Sequence, residues 1–239
     1  MPPINDIDVF ANDVGYIAIV NERGELAGFN VTAGGGMGVT HGSKKTYPRT
    51  GSILGFVTPE QGQIVAEKIM LVQKDNGNRA ECVIFLFNLR VRPTSLYSRK
   101  NARLKYTIDR MGLDVFKAEV EKLLGFQFQP ARDFTFDRNI DDFGWQTGED
   151  GKHHFTCFIE NGRVQDEPGR DFKTALREIA KIHKGEFRLT ANQHLIISNI
   201  ATPDLTKIKR LLAHYKLDNL DFSGLRLSSS ACVAFPTCG

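Results

Sequence analysis

Residues 171–200 read DFKTALREIAKIHKGEFRLTANQHLIISNI, and the fold turns on where this run stops being helical and becomes a pair of strands. Phe172, Ala175, Leu176, Ile179 and Ile182 recur three and four positions apart, which places them on one face of a helix over 171–184. After Gly185 the period drops to two. EFRLTA (186–191) and HLIISNI (194–200) then read as strands joined by a turn at Asn192-Gln193. Just upstream, HHFTCFIENGRV (153–164) alternates as a strand and runs into an Asn-Gly turn. Downstream, PDLTKIKRLLAHYKL (203–217) has the spacing of a second helix. The order β-α-β-β-α is that of a ferredoxin-like α+β unit lacking its last strand.

The chain ahead of this unit has a different texture. GYIAIV (15–20) and ELAGFNVTA (25–33) alternate as strands across the turn NERG, and the second ends in GGGMG (34–38), which reads as a loop. A basic stretch without hydrophobic period follows at 40–50. Helices are expected near 59–74, with Pro59 in its first turn, then at 99–111 and at 113–124. The predicted fold class is therefore α+β: a central mixed α/β domain over 1–145, half of a ferredoxin-like core over 146–222, and a short segment over 223–239.

Composition narrows the function classes. The chain has 239 residues, 41% of them hydrophobic and 25% charged, a folded rather than a disordered profile. A net charge of +3 is too small to point to nucleic acid, and the basic stretch 98–110 lacks interleaved aromatics. The longest apolar run, CVIFLF at 82–87, falls far short of a membrane span, and MPPINDIDVF is not a secretory leader. Four cysteines at 82, 157, 232 and 238 are too unevenly spaced for a disulfide framework, so a reducing compartment, the cytoplasm, is expected.

Three constellations are candidates for chemistry. The chain ends in SSSACVAFPTCG, where Cys232 and Cys238 form a C-x5-C pair; thiolates at such a pair suit an iron–sulfur cluster, or they are ordinary thiols. Cys82 and Cys157 lie in strand-like apolar runs and read as core. GGGMG fits neither the dinucleotide nor the phosphate-loop pattern. It offers bare backbone N–H groups beside His41, Lys44, Lys45 and Arg49, which suits a ligand with several carboxylates or phosphates, or a solvated loop. Arg99, Lys100, Arg103 and Arg110 crowd one predicted helix and either clamp carboxylates or face water. Arg188, Thr190, Asn192 and Gln193 group at a strand end, where they contact a ligand or cap a hairpin.

Taken together, NDIDVFANDVG, GFNVTAGGGMGVTHGSKKTYPRT, RKNARLKYTIDRMG, FIENGRV, EIAKIHKGEFRLTANQHLII and SSSACVAFPTC resemble the siroheme-containing sulfite and nitrite reductases, and among them the sulfite reductase hemoproteins. The resemblance implies a duplicated ferredoxin-like core and two cofactors. A [4Fe-4S] cluster would take two of its four thiolates from Cys232 and Cys238. Siroheme would set its carboxylates against Lys44, Lys45, Arg49, Lys100 and Arg103, with Asn192 and Gln193 near the macrocycle. The implied activity is six-electron reduction of sulfite to sulfide, or of nitrite, with electrons from ferredoxin or a flavoprotein reductase subunit. No residue of this chain is singled out as catalytic.

The sequence also departs from that pattern. The second cysteine pair, C-x3-C, and the upstream half of the family are not in these 239 residues. Residues 80–97, AECVIFLFNLRVRPTSLY, read as an apolar insertion of about 18 residues, either translated non-coding sequence or a lineage-specific insertion that packs on the surface. The expectation is a central fragment, inactive alone, with a plastid location open if a longer N-terminus carries a transit peptide. A non-catalytic tetrapyrrole-binding module is the rival reading.

Overall fold

The structure, a computed structural model, describes residues 2–78, 102–148 and 150–232. Lys100, Cys82, Cys238 and the stretch 80–97 lie outside the described residues. The chain divides into two compact units, Met1–Asp137 and Arg138–Gly239. The boundary falls at 137/138 because Asp141 and Phe143 belong to the second unit: Asp141 accepts hydrogen bonds from Thr190 and Asn192, and the Phe143 ring packs on Phe158 and His194.

In the first unit, strands β1 (Val14–Val20), β2 (Leu26–Ala33) and β3 (Ser52–Val57) form an antiparallel sheet in chain order. Among the described residues, helices α1 (Gly62–Asn76), α2 (Leu104–Met111) and α3 (Leu113–Leu124) accompany it. Val65, Ile69 and Val72 share one face of α1 and are buried with Val31, Ala33, Leu54, Ile108, Phe116 and Val120. Each of these side chains larger than Ala33 contributes about 1.5–3 kcal/mol of transfer free energy. The entry to α1 is a 3₁₀ turn at Pro59–Gln61, fixed by the Thr58 N–H donating to Gln61 Oε1 at 3.0 Å.

Two elements differ from expectation. Strand β3 has no counterpart in the sequence reading, because Gly55 breaks its apolar run. That glycine has φ +147°, and a Cβ there would stand 2.6 Å from the Gln129 carbonyl oxygen, where residue 129 pairs with Phe56. Residues 99–101 of the expected basic helix, Arg99 among them, lie outside the described residues; among the described ones the helix runs from Leu104, and Arg103 precedes it in extended conformation. The predicted row of cations along one helix is therefore not formed by Arg103 and Arg110, and Arg110 instead donates to the Asn76 carbonyl.

In the second unit, strands β4 (Gly144–Thr147), β5 (His153–Cys157), β8 (Glu186–Leu189) and β9 (Leu195–Ile200) form a sheet in the order β4-β5-β9-β8, all antiparallel. A two-residue hairpin, β6 (Asp166–Glu167) with β7 (Arg170–Asp171), leads into α4 (Phe172–Ile182), and α5 (Thr202–His214) follows β9. Strands β5 and β8 run parallel with β9 between them, the split β-α-β arrangement expected of a ferredoxin-like unit. The place beside β5 that a closing sixth element would occupy is taken by β4 from the N-terminal side. Phe172, Ala175 and Ile179 of α4 pack with Ile208 and Leu212 of α5 against Phe155, Cys157, Leu195 and Ile197. A short helix, α6 (Gly224–Ser228), leads toward Cys232.

Candidate functional site

The glycine loop after β2 is held by cations contacting its carbonyl oxygens. Lys105, 0% exposed, donates from Nζ to the carbonyls of Gly36 at 2.9 Å, Gly38 at 3.0 Å and Tyr47 at 2.6 Å. Arg49 donates through Nη1 to the Gly34 carbonyl at 3.0 Å, through Nη2 to Ser52 Oγ at 3.0 Å and through Nε to Asp109 at 2.7 Å. Arg103 reaches Asp13 at 2.8 Å and the Gly35 carbonyl at 3.4 Å. The loop N–H groups are not bare as expected: those of Gly34, Gly35 and Gly36 donate to the carbonyls of Asp13, Asn12 and Arg49. The reason is local. The chain from Val9 to Asp13 and the bridge at Arg49 lie against the loop and take up its donors.

Glycine is needed here for packing. A Cβ at Gly35 would stand 2.2 Å from the Phe10 carbonyl oxygen, and one at Gly36 would meet the Arg103 guanidinium at 2.6–2.7 Å. Asp109 also accepts from the Tyr47 hydroxyl at 2.8 Å, and that hydrogen bond, with some burial, holds the phenol above its ordinary 10.0. Arg49 is thus paired with Asp109 and Arg103 with Asp13, while Lys105 donates to carbonyls, leaving one positive charge in excess in the group. Beside them, Lys44 and Lys45 are exposed on a turn that Thr46 fixes, its N–H donating to the Ser43 carbonyl and its hydroxyl accepting from the Thr40 N–H.

Of the residues singled out by sequence in this unit, the structure brings Arg49 and Arg103 to one loop and leaves Lys44 and Lys45 at its exposed rim. Lys105, Asp13, Asp109 and Tyr47 were not read from sequence. Lys105 carried one signal: it stands three positions before Ile108, on the buried side of α2.

In the second unit, the strand-end group forms the β8–β9 turn. The Thr190 N–H donates to the His194 carbonyl at 3.0 Å, and the Thr190 hydroxyl and Asn192 amide donate to the buried Asp141 carboxylate. His194 Nδ1 accepts from the Ile159 N–H at 3.1 Å, and burial lowers the imidazole pKa against the pull of Asp141. Gln193, with φ +70°, donates from Nε2 to the Ala231 carbonyl at 3.1 Å. Arg188 turns away to pair with Glu186. Cys232 is exposed. Cys157 is buried, as its apolar run suggested, and burial pushes its thiol up to about 12.

The comparisons bear on both units. A family profile described as the nitrite and sulphite reductase 4Fe-4S domain matches residues 1–82, and one described as the nitrite/sulfite reductase ferredoxin-like half domain matches residues 146–215. The chain belongs to the nitrite and sulphite reductase family. It is 51% identical over 240 residues to a sulfite reductase (NADPH) hemoprotein beta-component of Geobacillus thermodenitrificans, covering all of this chain and 39% of that one. It is 52% identical over 244 residues to a sulfite reductase (NADPH) subunit beta of Saccharomyces cerevisiae, covering 16% of its length. The chain thus spans well under half of these relatives. The fold matches the Mycobacterium tuberculosis NirA protein, with a TM-score of 0.72 and 22% identity over 96% of this chain and 37% of that one.

The family implies siroheme and a [4Fe-4S] cluster. The loop fits an anionic group: its cations outnumber its carboxylates, Arg103 is 40% exposed, and two exposed lysines stand alongside. For the cluster, the described residues do not suffice. Cys232 is the one exposed thiol among them, and among them no three His, Cys, Asp or Glu side chains converge.

Proposed function

We propose that this chain is part of an assimilatory sulfite reductase and contributes the loop that binds siroheme carboxylates. One observation carries the reading: Lys105 and Arg49 fix a glycine loop by its carbonyls, and the partly exposed Arg103 and exposed Lys44 and Lys45 stand beside it. In this reading, Lys105 and Arg49 hold the loop, while Arg103, 40% exposed, and the exposed Lys44 and Lys45 contact the anion. The chemistry supplied by siroheme, when bound, is the six-electron reduction of sulfite to sulfide. The chain's own contribution is to hold negative charge in a fixed arrangement without reorganising. No step is assigned to the cluster from the described residues.

Sulfite is preferred to nitrite as substrate because the relatives at 51% and 52% identity are sulfite reductases by name. Their names also include NADPH, which supports an NADPH-linked reductase subunit over ferredoxin as the electron donor. The proposed compartment is the cytoplasm, supported by the sparse, unevenly spaced cysteines.

The test is a titration of the purified 239-residue chain with siroheme, followed by visible absorbance. Saturable binding is expected, weakened about tenfold in Lys44→Ala/Lys45→Ala, the loss of roughly two charge-assisted contacts at an exposed rim. Equal affinity in the double variant would overturn the assignment. Iron and sulfide added to the same chain are expected to give no stable four-iron absorbance, since the Cys157 thiol is locked in the core. A stoichiometric, reducible cluster would refute that expectation.

A further inference from the structure

The segment that leads to Cys232 is fastened at two points, by side chains from two different turns. Six residues before the cysteine, Arg226 Nη2 donates to both carboxylate oxygens of Glu160 at 3.1 Å. One residue before it, the Ala231 carbonyl accepts from Gln193 Nε2 at 3.1 Å. Glu160 stands in the turn after β5 and Gln193 in the turn between β8 and β9. We infer that Glu160 and Gln193 are positioning residues whose task is to fix Cys232 in space, an inference that rests on reading Cys232 as a cluster ligand.

The two turns are built to act together. Gly162 has φ +68°, and a Cβ there would stand 3.2 Å from Gln193 Cβ, so a glycine lets the turns meet. Gln193 itself takes φ +70°, a left-handed conformation that residues other than glycine seldom adopt. Its neighbour Asn192, a residue better suited to that conformation, instead donates to Asp141. The strained position thus goes to the longer amide, the one that reaches residue 231.

Glu160 is likewise prepared for its partner. Arg170 Nη1 donates to Glu160 Oε2 at 2.8 Å, and this contact, followed by Arg226, holds the carboxyl below its ordinary range. Arg226 is further constrained by the Phe222 ring, 4.6 Å from its guanidinium carbon. A ligand thiolate on an unfastened segment would have to be ordered when the metal binds, and these contacts order it beforehand. Gln193, expected from the family resemblance to lie near the macrocycle, has its amide turned to the cysteine segment.

The experiment uses the 239-residue chain with Cys82→Ser and Cys238→Ser, so that a nitroxide reagent labels Cys232, while Cys157 is 0% exposed. Glu160→Gln and Gln193→Ala are each expected to narrow the nitroxide spectrum. Each is also expected to speed tryptic cleavage after Arg226, up to about fivefold, the upper range for an exposed pair. The melting temperature should stay where it was. Unchanged spectra and cleavage rates in both variants would overturn the inference. So would narrowing that comes with a matching fall in melting temperature, which would give the two residues a general folding role. Neither readout involves iron. Ligation is read separately, from the iron content of Cys232→Ser in the full-length reductase: lost iron supports the ligand reading, and retained iron overturns it while the tether stands.

Discussion

The Lys105 ammonium sits 2.6 Å from the carbonyl oxygen of Tyr47, a residue 58 positions earlier in the chain. The carbonyls of Gly36 and Gly38 complete its hydrogen-bond partners, so all three N–H donors are spent on backbone oxygens on either side of the basic turn. Lys105→Met keeps the length of the side chain and removes every donor. It is expected to cost about 3 kcal/mol, chiefly from leaving the Gly38 and Tyr47 carbonyls unpaired, since the Gly36 carbonyl still accepts from the Arg49 N–H; this is seen as a lower urea midpoint. Lys105→Arg should not restore the midpoint, because a planar guanidinium cannot aim at three converging carbonyls. A midpoint equal to that of the unsubstituted chain would count against the staple.

Two glycines of the same region should respond very differently to an added methyl. Gly35→Ala would place its Cβ 2.2 Å from the Phe10 carbonyl oxygen and 2.5 Å from that of Asn12, both backbone atoms that cannot turn aside. A loss of about 3 kcal/mol is expected. Gly42→Ala meets nothing within 4 Å and pays only for its φ of +72°, about 1 kcal/mol. Thermal melts of the two variants side by side check this, and equal shifts would contradict the packing argument.

The buried Cys157 thiol predicts a loss of stability in alkali. Folding raises its pKa from the ordinary 9.0 to about 12, so the folded chain keeps a proton that the unfolded chain gives up. Stability is therefore fully present below about pH 9 and declines as pH rises toward 12. Cys157→Ala should flatten that decline while lowering stability at neutral pH through the vacated volume. Urea melts at pH 7.5, 9 and 10.5 would show it; a slope that survives the substitution would assign it to other groups.

The second unit was legible because its helix announces itself. Phe172, Ala175 and Ile179 recur at helical spacing, and Leu195 and Ile197 at strand spacing, and all five are buried together. FGWQT (143–147) reads from sequence as the opening of the second region but not as a strand, because the four residues of β4, Gly144–Thr147, carry one large apolar side chain, Trp145. In the first unit the cations were visible but their direction was not. Sequence records that Arg49 and Lys105 are charged; only packing reveals that their charge faces inward, onto carbonyls of the glycine run. Gln193 was noticed for its place at a strand end, but its partner, Ala231, lies 38 residues away. No local pattern records a contact of that range.

The place of β4 at the flank of β5 has a consequence for the chain that follows α5. A ferredoxin-like repeat ordinarily returns there and is sewn into its own sheet. Here that berth is already taken by a strand made earlier, so the described chain after α5, residues 215–232, does not pair with β5 and instead contacts the turns at the loop end of the unit. Early occupation of one sheet position thus releases a later stretch of backbone from structural duty, and that released stretch is the one that delivers a thiol to the surface.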